Sequence, residues 1–279
     1  MNCFRALYEI SLQGLSRKRE FRADQIATEV TSPRDMAGAL LKIIAYSSYR
    51  AKVEQEIFQK EEVLENANVS QEIEQGFDNY AENFLSNPDI AHLQTSHPFD
   101  THPSLEDRMK AVGCSLESSD SQVMLSDRGD GQWFQKIEAA EQLEDEQWKK
   151  YEERFRAYHE ETLPYRFLPE TEDELAIVVK AFPEVQLEGK DGLLTIDHES
   201  IRLHSWDTPV RFSDIQECQM DEGKSLNFSS SSGTSRKINL KKFTDPQKVI
   251  EAVERYYSRY LAAKAYQEQT KQSETNRDE

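Results

Sequence analysis

The stretch Ser16-Arg17-Lys18-Arg19-Glu20-Phe21-Arg22-Ala23-Asp24 combines two carboxylates four residues apart with a neighbouring guanidinium and small residues. On a helix, that spacing puts Glu20 and Asp24 on one face with Arg17 beside them, and Ala23 and Ala27 leave room for close packing. Two carboxylates one turn apart can bind a metal or orient its ligands. The same residues also suit a solvated, charge-laced helix face, and the spacing alone does not choose between the two.

Further along comes His97-Pro98-Phe99-Asp100-Thr101-His102-Pro103-Ser104-Leu105-Glu106-Asp107-Arg108, read as a loop entering a short helix. The two segments, in this order, resemble the second half of the HtpX-type and CAAX-prenyl-endopeptidase-type zinc metallopeptidases. In that family a helix reading S-R-x-x-E-x-x-A-D follows the zinc-binding HExxH helix, and a T-H-P-x-x-x-x-R segment closes the site. Both motifs are matched residue by residue within residues 1–113. No HExxH occurs in the sequence.

The resemblance implies a role for each matched residue. Glu20 would be the third zinc ligand, and Asp24 would stand behind it, accepting a hydrogen bond from a ligand histidine, with Arg17 nearby. His102 would sit over the site as an oxyanion donor or gating ligand, and Arg108 would grip that segment or the carboxylates with a bidentate contact. Zn2+ is the cofactor of the complete family enzyme, and a peptide or protein its substrate. Without both imidazoles and the glutamate of HExxH, this chain alone is expected to bind no zinc and to be catalytically silent.

Three explanations of the gap remain open: a C-terminal portion of an HtpX-like endopeptidase, a degenerate pseudoenzyme, or one half of a split enzyme. The first is ranked highest, partly because an apolar stripe of Phe4, Leu7, Tyr8, Leu12 and Leu15 suggests a packing partner upstream. The alternative function is a non-catalytic interaction or regulatory protein, in which a relic peptidase scaffold accompanies a protein-binding β domain.

The elements that must position these residues are legible in outline. One helix is expected from near the start to about Glu29. Ser32-Pro33 starts a second, carrying Met36, Ala37, Leu40, Leu41 and Ile44 on one face; the stretch from Lys52 to Glu65 reads as helical with a solvated face. Ser70 caps a third helix with Ile73, Phe77, Tyr80 and Phe84, ended by Asn87-Pro88. A fourth begins at Pro103, capped by Thr101 or His102, and stops at Gly113. Residues Ser115 to Gly131, rich in Ser, Asp and Gly, read as a mobile linker. A long acidic helix follows, with Trp133, Ile137, Ala140, Trp148, Tyr151, Phe155 and Tyr158 on one stripe.

Beyond Pro183 the apolar period shortens to two: Val185-Leu187, Leu193-Ile196, Ile201-Leu203, Val210-Phe212, Ile215-Met220, Leu226-Ser230 and Lys237-Leu240 read as strands separated by turn residues. Thr171 to Phe182 is a short helix or a strand. A last helix starts at Pro246 with Val249, Ile250, Val253, Tyr256, Tyr257 and Leu261. A bent antiparallel sheet or barrel plugged by that helix is expected, and Val210 to Ile215 with the following hairpins resembles a bacterial pleckstrin-homology or GRAM-type domain. The fold class is therefore α+β. The expected segments are 1–114 helical and peptidase-like, 115–168 linker and long acidic helix, 169–264 the pleckstrin-homology-like β domain, and 265–279 a polar, frayed tail.

Composition limits the partners. Among 279 residues, 52 acidic side chains against 34 basic ones give a net charge of −18, which opposes general affinity for nucleic acid. Three well-separated cysteines with no CxxC pair suit a reducing compartment. No apolar run is long enough to span a bilayer. The expected location is the cytoplasm or the cytoplasmic face of a membrane, membrane proximity coming through a missing N-terminal half. A protein partner is expected for the β domain, and no nucleic acid.

Overall fold

The computed structural model describes residues 2–64, 68–86, 102–115, 119–127, 132–190, 192–221, 223–230, 233 and 235–275, and of these the side chains from Ser16 onward except those of Ser119, Gln132, Trp133, Ser273 and Glu274. The fold is α+β, and the chain divides into two compact units, Met1–Arg154 and Phe155–Glu279. Among the described residues no helix is long and apolar enough to cross a membrane.

The first unit is helical. It contains α1 (Asn2–Val30), α2 (Pro33–Phe58), α3 (Val69–Asn83, continuing into a 3-10 turn at Phe84–Ser86), α4 (Leu105–Ala111), α5 (Ser119–Ser126), the short α6 (Gln132–Gln135) and the beginning of α7 (Ala140–Thr162). Ser32 caps α2 as expected, its hydroxyl accepting from the Asp35 amide at 3.1 Å with Pro33 at the first position. Ala37, Leu40, Leu41 and Ala45 form the buried stripe of α2 and pack with Ala81, Phe84, Leu105, Met109, Met124 and Leu125. The α2 and α3 faces also meet through aromatic rings, with Tyr49 and Tyr80 4.8 Å apart and Tyr46 edge-on to Phe77 at 5.7 Å. Gly76 is required there, because a Cβ on it would collide with the Tyr49 hydroxyl.

Several boundaries differ from expectation. α2 runs unbroken through Lys52 but stops at Phe58, its last turns held by buried Val53 and Ile57. The cap of α3 is Asn68, whose side-chain oxygen accepts from the Gln71 amide at 3.0 Å, rather than Ser70. α4 is capped by Ser104 and starts at Leu105, two residues after Pro103. The segment read as a mobile linker contains α5, whose Met124 and Leu125 are buried against α2 and whose buried Ser121 donates to the Ser115 carbonyl at 2.9 Å. The acidic helix does not run continuously from Trp133: Ala139 takes a left-handed φ of 56°, and the long helix begins at Ala140. Asn87, Pro88 and Gly131, named in the sequence reading, lie outside the described residues.

The second unit opens with the end of α7, a 3-10 turn at Leu163–Tyr165 and α8 (Glu172–Ala181), capped by Thr171. Leu163, Phe167 and Val178 form a small buried cluster there. Among the described residues seven strands follow: β1 (Val185–Gly189), β2 (Gly192–Ile196), β3 (Ser200–Leu203), β4 (Val210–Arg211), β5 (Ile215–Asp221), β6 (Ser225–Ser230) and β7 (Ser235–Asn239). They pair antiparallel into a four-stranded sheet in the order β1-β2-β3-β4 and a three-stranded sheet in the order β5-β6-β7.

The two-residue alternation puts Leu194, Ile196, Ile201, Leu203, Phe228 and Ile238 into one core. α9 (Pro246–Thr275) closes that core with Val249, Val253 and Tyr256. This is the antiparallel sheet with a C-terminal helix that the alternation implied. The polar tail differs from expectation, since α9 continues to Thr275. Its Ala, Lys, Gln and Glu residues favour helix, and Arg166 stacks 5.7 Å from the Tyr266 ring centre.

Candidate functional site

The Glu20 and Asp24 side chains lie one turn apart on α1, and both meet Arg108 of α4, Glu20 also meeting His102 from the segment leading into it. Leu105 and Met109 hold α4 in the core of the first unit, and the Ser104 hydroxyl fixes its start by accepting from the Asp107 amide at 3.1 Å. Arg108, three residues after Leu105, is thereby aimed at α1. Its Nε donates to Asp24 Oδ2 at 2.8 Å and its Nη2 to Oδ1 at 2.7 Å, a bidentate fork. Nη1 lies 3.6 Å from Glu20 Oε2.

His102 reaches the same face from 82 residues away, its Nδ1 lying 2.5 Å from Glu20 Oε1. The burial of the partners differs sharply. Asp24 is only 1% exposed, whereas the His102 side chain is 74% exposed. Arg108 is held further into its cationic form than usual, chiefly by the hydrogen bonds to Asp24, with burial opposing and the charges of Asp24 and Glu20 assisting.

The sequence reading expected Glu20 and Asp24 on one helix face, with His102 and Arg108 brought to it, and the structure places the four residues so. The bidentate contact of Arg108 to a carboxylate is of the kind the resemblance implied, whereas the partner of Asp24 is not. Asp24 accepts from Arg108, not from a histidine, because the guanidinium fork matches both carboxylate oxygens. Arg17 is half-buried on α1, three residues before Glu20. His92, His97 and Thr101 lie outside the described residues.

The donor set does not fit the zinc ion that the resemblance implies. Zinc needs each donor at about 2.0–2.2 Å and at least three protein ligands, and two ligands of one metal stand roughly 3 Å or more apart. Glu20 and His102 are instead in direct hydrogen-bond contact, and a guanidinium already supplies positive charge beside Glu20. Among the described residues no group of three or more His, Cys, Asp or Glu side chains could hold a metal ion.

A second polar cluster in the same unit was not singled out from sequence. Glu54 Oε1 accepts from Arg50 Nε and from the Tyr151 hydroxyl, each at 2.6 Å, and the Arg50 guanidinium lies 4.5 Å from the Tyr151 ring centre and 5.1 Å from that of Trp148. Burial foremost, then the bond to Glu54, pushes the Tyr151 hydroxyl up. The helical pair Arg50 and Glu54, four residues apart, was the one signal available; its aromatic partners lie about a hundred residues away.

Residues 2–114 match the family model of peptidase family M48. No curated protein and no solved structure matches the chain. The expectation of a C-terminal remnant is corrected by where this match falls: the likeness occupies the N-terminal part of the chain, and the remnant reading does not stand on it. Over residues 2–114 the chain is similar to peptidase family M48.

Proposed function

We propose that this chain is a non-catalytic interaction protein, in which an M48-like helical scaffold accompanies an antiparallel β module that binds a protein partner. The observation that supports it is the state of the Glu20 carboxylate, bonded to His102 and flanked by Arg108, while Asp24 is saturated by the same arginine. An ion-paired cluster of this kind ties α1 to α4 and leaves no carboxylate directed at a metal. The competing reading, zinc-dependent peptide hydrolysis, is favoured by the family match alone.

One experiment decides between them. The full chain is saturated with zinc, desalted, and assayed for bound metal and for chelator-sensitive cleavage of casein. The expected result is substoichiometric zinc and no cleavage. About one tightly held zinc per chain, with cleavage abolished by Glu20→Ala, overturns the proposal.

A further inference from the structure

A concavity of the first unit lies away from Glu20, between α2, α3, the end of α5 and the start of α7, with a volume of about 1040 Å³. Ile73, Phe77, Ala81 and Leu125 form its apolar floor, and Tyr46, Trp148 and the 63% exposed Ile43 its walls. Its rim is acidic: among the described residues that line it, Glu74, Asp78, Glu82, Asp127, Glu144 and Asp145 stand against one basic residue, Lys42. The Lys42 ammonium donates to the Asp127 carbonyl at the end of α5.

The order of these groups on α3 is informative. Ile73, Phe77 and Ala81 recur every four residues, and Glu74, Asp78 and Glu82 recur every four residues one position on. An apolar row and an acidic row therefore run side by side along the helix. Like charges at that spacing repel and work against α3 in the chain alone. Glu74, Glu82 and Asp145 make no ion pair among the described residues. On the opposite wall, burial foremost pushes up the Tyr46 hydroxyl, with Arg50 opposing and Glu144 and Glu54 assisting.

We propose that this groove binds an amphipathic segment of a protein partner, its apolar side chains seated on Phe77, Ile43, Tyr46 and Trp148 and its lysines or arginines on the carboxylate rim. Apolar anchors on those partly exposed side chains supply affinity, and the charge pattern supplies orientation and discrimination against acidic segments. The site is separate from Glu20, so the zinc experiment can fail without touching this proposal.

The test titrates the full chain with three synthetic peptides: an amphipathic leucine/lysine helix, its leucine/glutamate counterpart, and a lysine peptide without apolar residues. Binding by the first alone is expected, weakening as salt is raised. Reversing the rim with Glu74→Lys, Glu82→Lys and Asp145→Lys should weaken it by about tenfold or more, as should Ile43→Asp. Reversing Glu188, Glu217 and Glu251 in the second unit should leave it unchanged, with circular dichroism confirming that every variant is folded. Equal loss in both reversed sets, equal binding of the lysine peptide, retention by the rim variant, or no binding of the leucine/lysine helix overturns the proposal.

Discussion

Arg108 closes on Asp24 across 84 residues of chain, with both oxygens of one carboxylate engaged by one guanidinium. The two ends of the pair are unequal, since the Asp24 side chain is 2% exposed and that of Arg108 23%. Removing the arginine strands a buried anion; removing the aspartate leaves a cation that can still turn to Glu20 and water. Arg108→Ala is therefore expected to cost about 3 kcal/mol of first-unit stability and Asp24→Ala less, with Arg108→Lys in between because an ammonium cannot reproduce the fork. Urea unfolding monitored by circular dichroism, analysed for two units, measures the order. An Asp24→Ala variant weaker than Arg108→Ala would contradict it.

What the sequence made legible follows from how local each signal is. Ser32-Pro33 announces α2 through its own cap, and the period of two from Val185 onward announces each strand. The convergence of Glu20, Asp24, His102 and Arg108 was legible only because two short motifs matched a known pattern; no local rule joins α1 to α4. α5 was missed because its two buried apolar residues, Met124 and Leu125, are adjacent and its third buried residue, Ser121, is polar, so the hydrophobic pattern gives no 3.6-residue period. The break at Ala139 was missed because no Gly or Pro punctuates it. The acid-rimmed groove was invisible because its apolar residues read as core and its carboxylates as solvated faces until four helices bring them together.

Tyrosines of the second unit make its stability sensitive to alkali. Burial, foremost, raises the Tyr256 and Tyr257 hydroxyls above their ordinary value of 10.0. Burial and Glu254 likewise raise the Cys218 thiol. A group with a raised folded pKa contributes stability that is fully present below its unfolded pKa and is lost as pH climbs through the folded one. The midpoint of thermal unfolding of the second unit should therefore fall between about pH 9 and 11, with tyrosinate absorbance rising together with unfolding. Tyr256→Phe keeps the ring but removes the ionising hydroxyl and its bond to the Pro183 carbonyl. It should lower stability near neutrality by about 1 kcal/mol and flatten the alkaline decline. An alkaline profile as steep in the variant as in the parent would remove Tyr256 from the account.

Arg259 is the last of these cases, a guanidinium 1% exposed on α9 that bonds to carbonyls rather than to a carboxylate. Its Nη1 donates to the Phe167 carbonyl at 2.8 Å and its Nη2 to the His198 carbonyl at 2.6 Å, so one side chain ties α9 to the segment before α8 and to the turn between β2 and β3. Burial pulls its pKa below the ordinary value, the cost of holding a cation in that position. Arg259→Ala removes both bonds, leaves two carbonyls without their donor and opens a cavity, for an expected loss of about 3–4 kcal/mol. Arg259→Met fills most of the volume and removes the desolvated charge but still abandons the carbonyls, so about 1–2 kcal/mol is expected. Arg259→Lys can reach one carbonyl at a time and should fall between the parent and the alanine variant. Urea midpoints of the second unit rank the three. If the methionine variant equals or exceeds the parent, burial of the charge outweighs the two hydrogen bonds, and Arg259 is not what clamps these segments to α9.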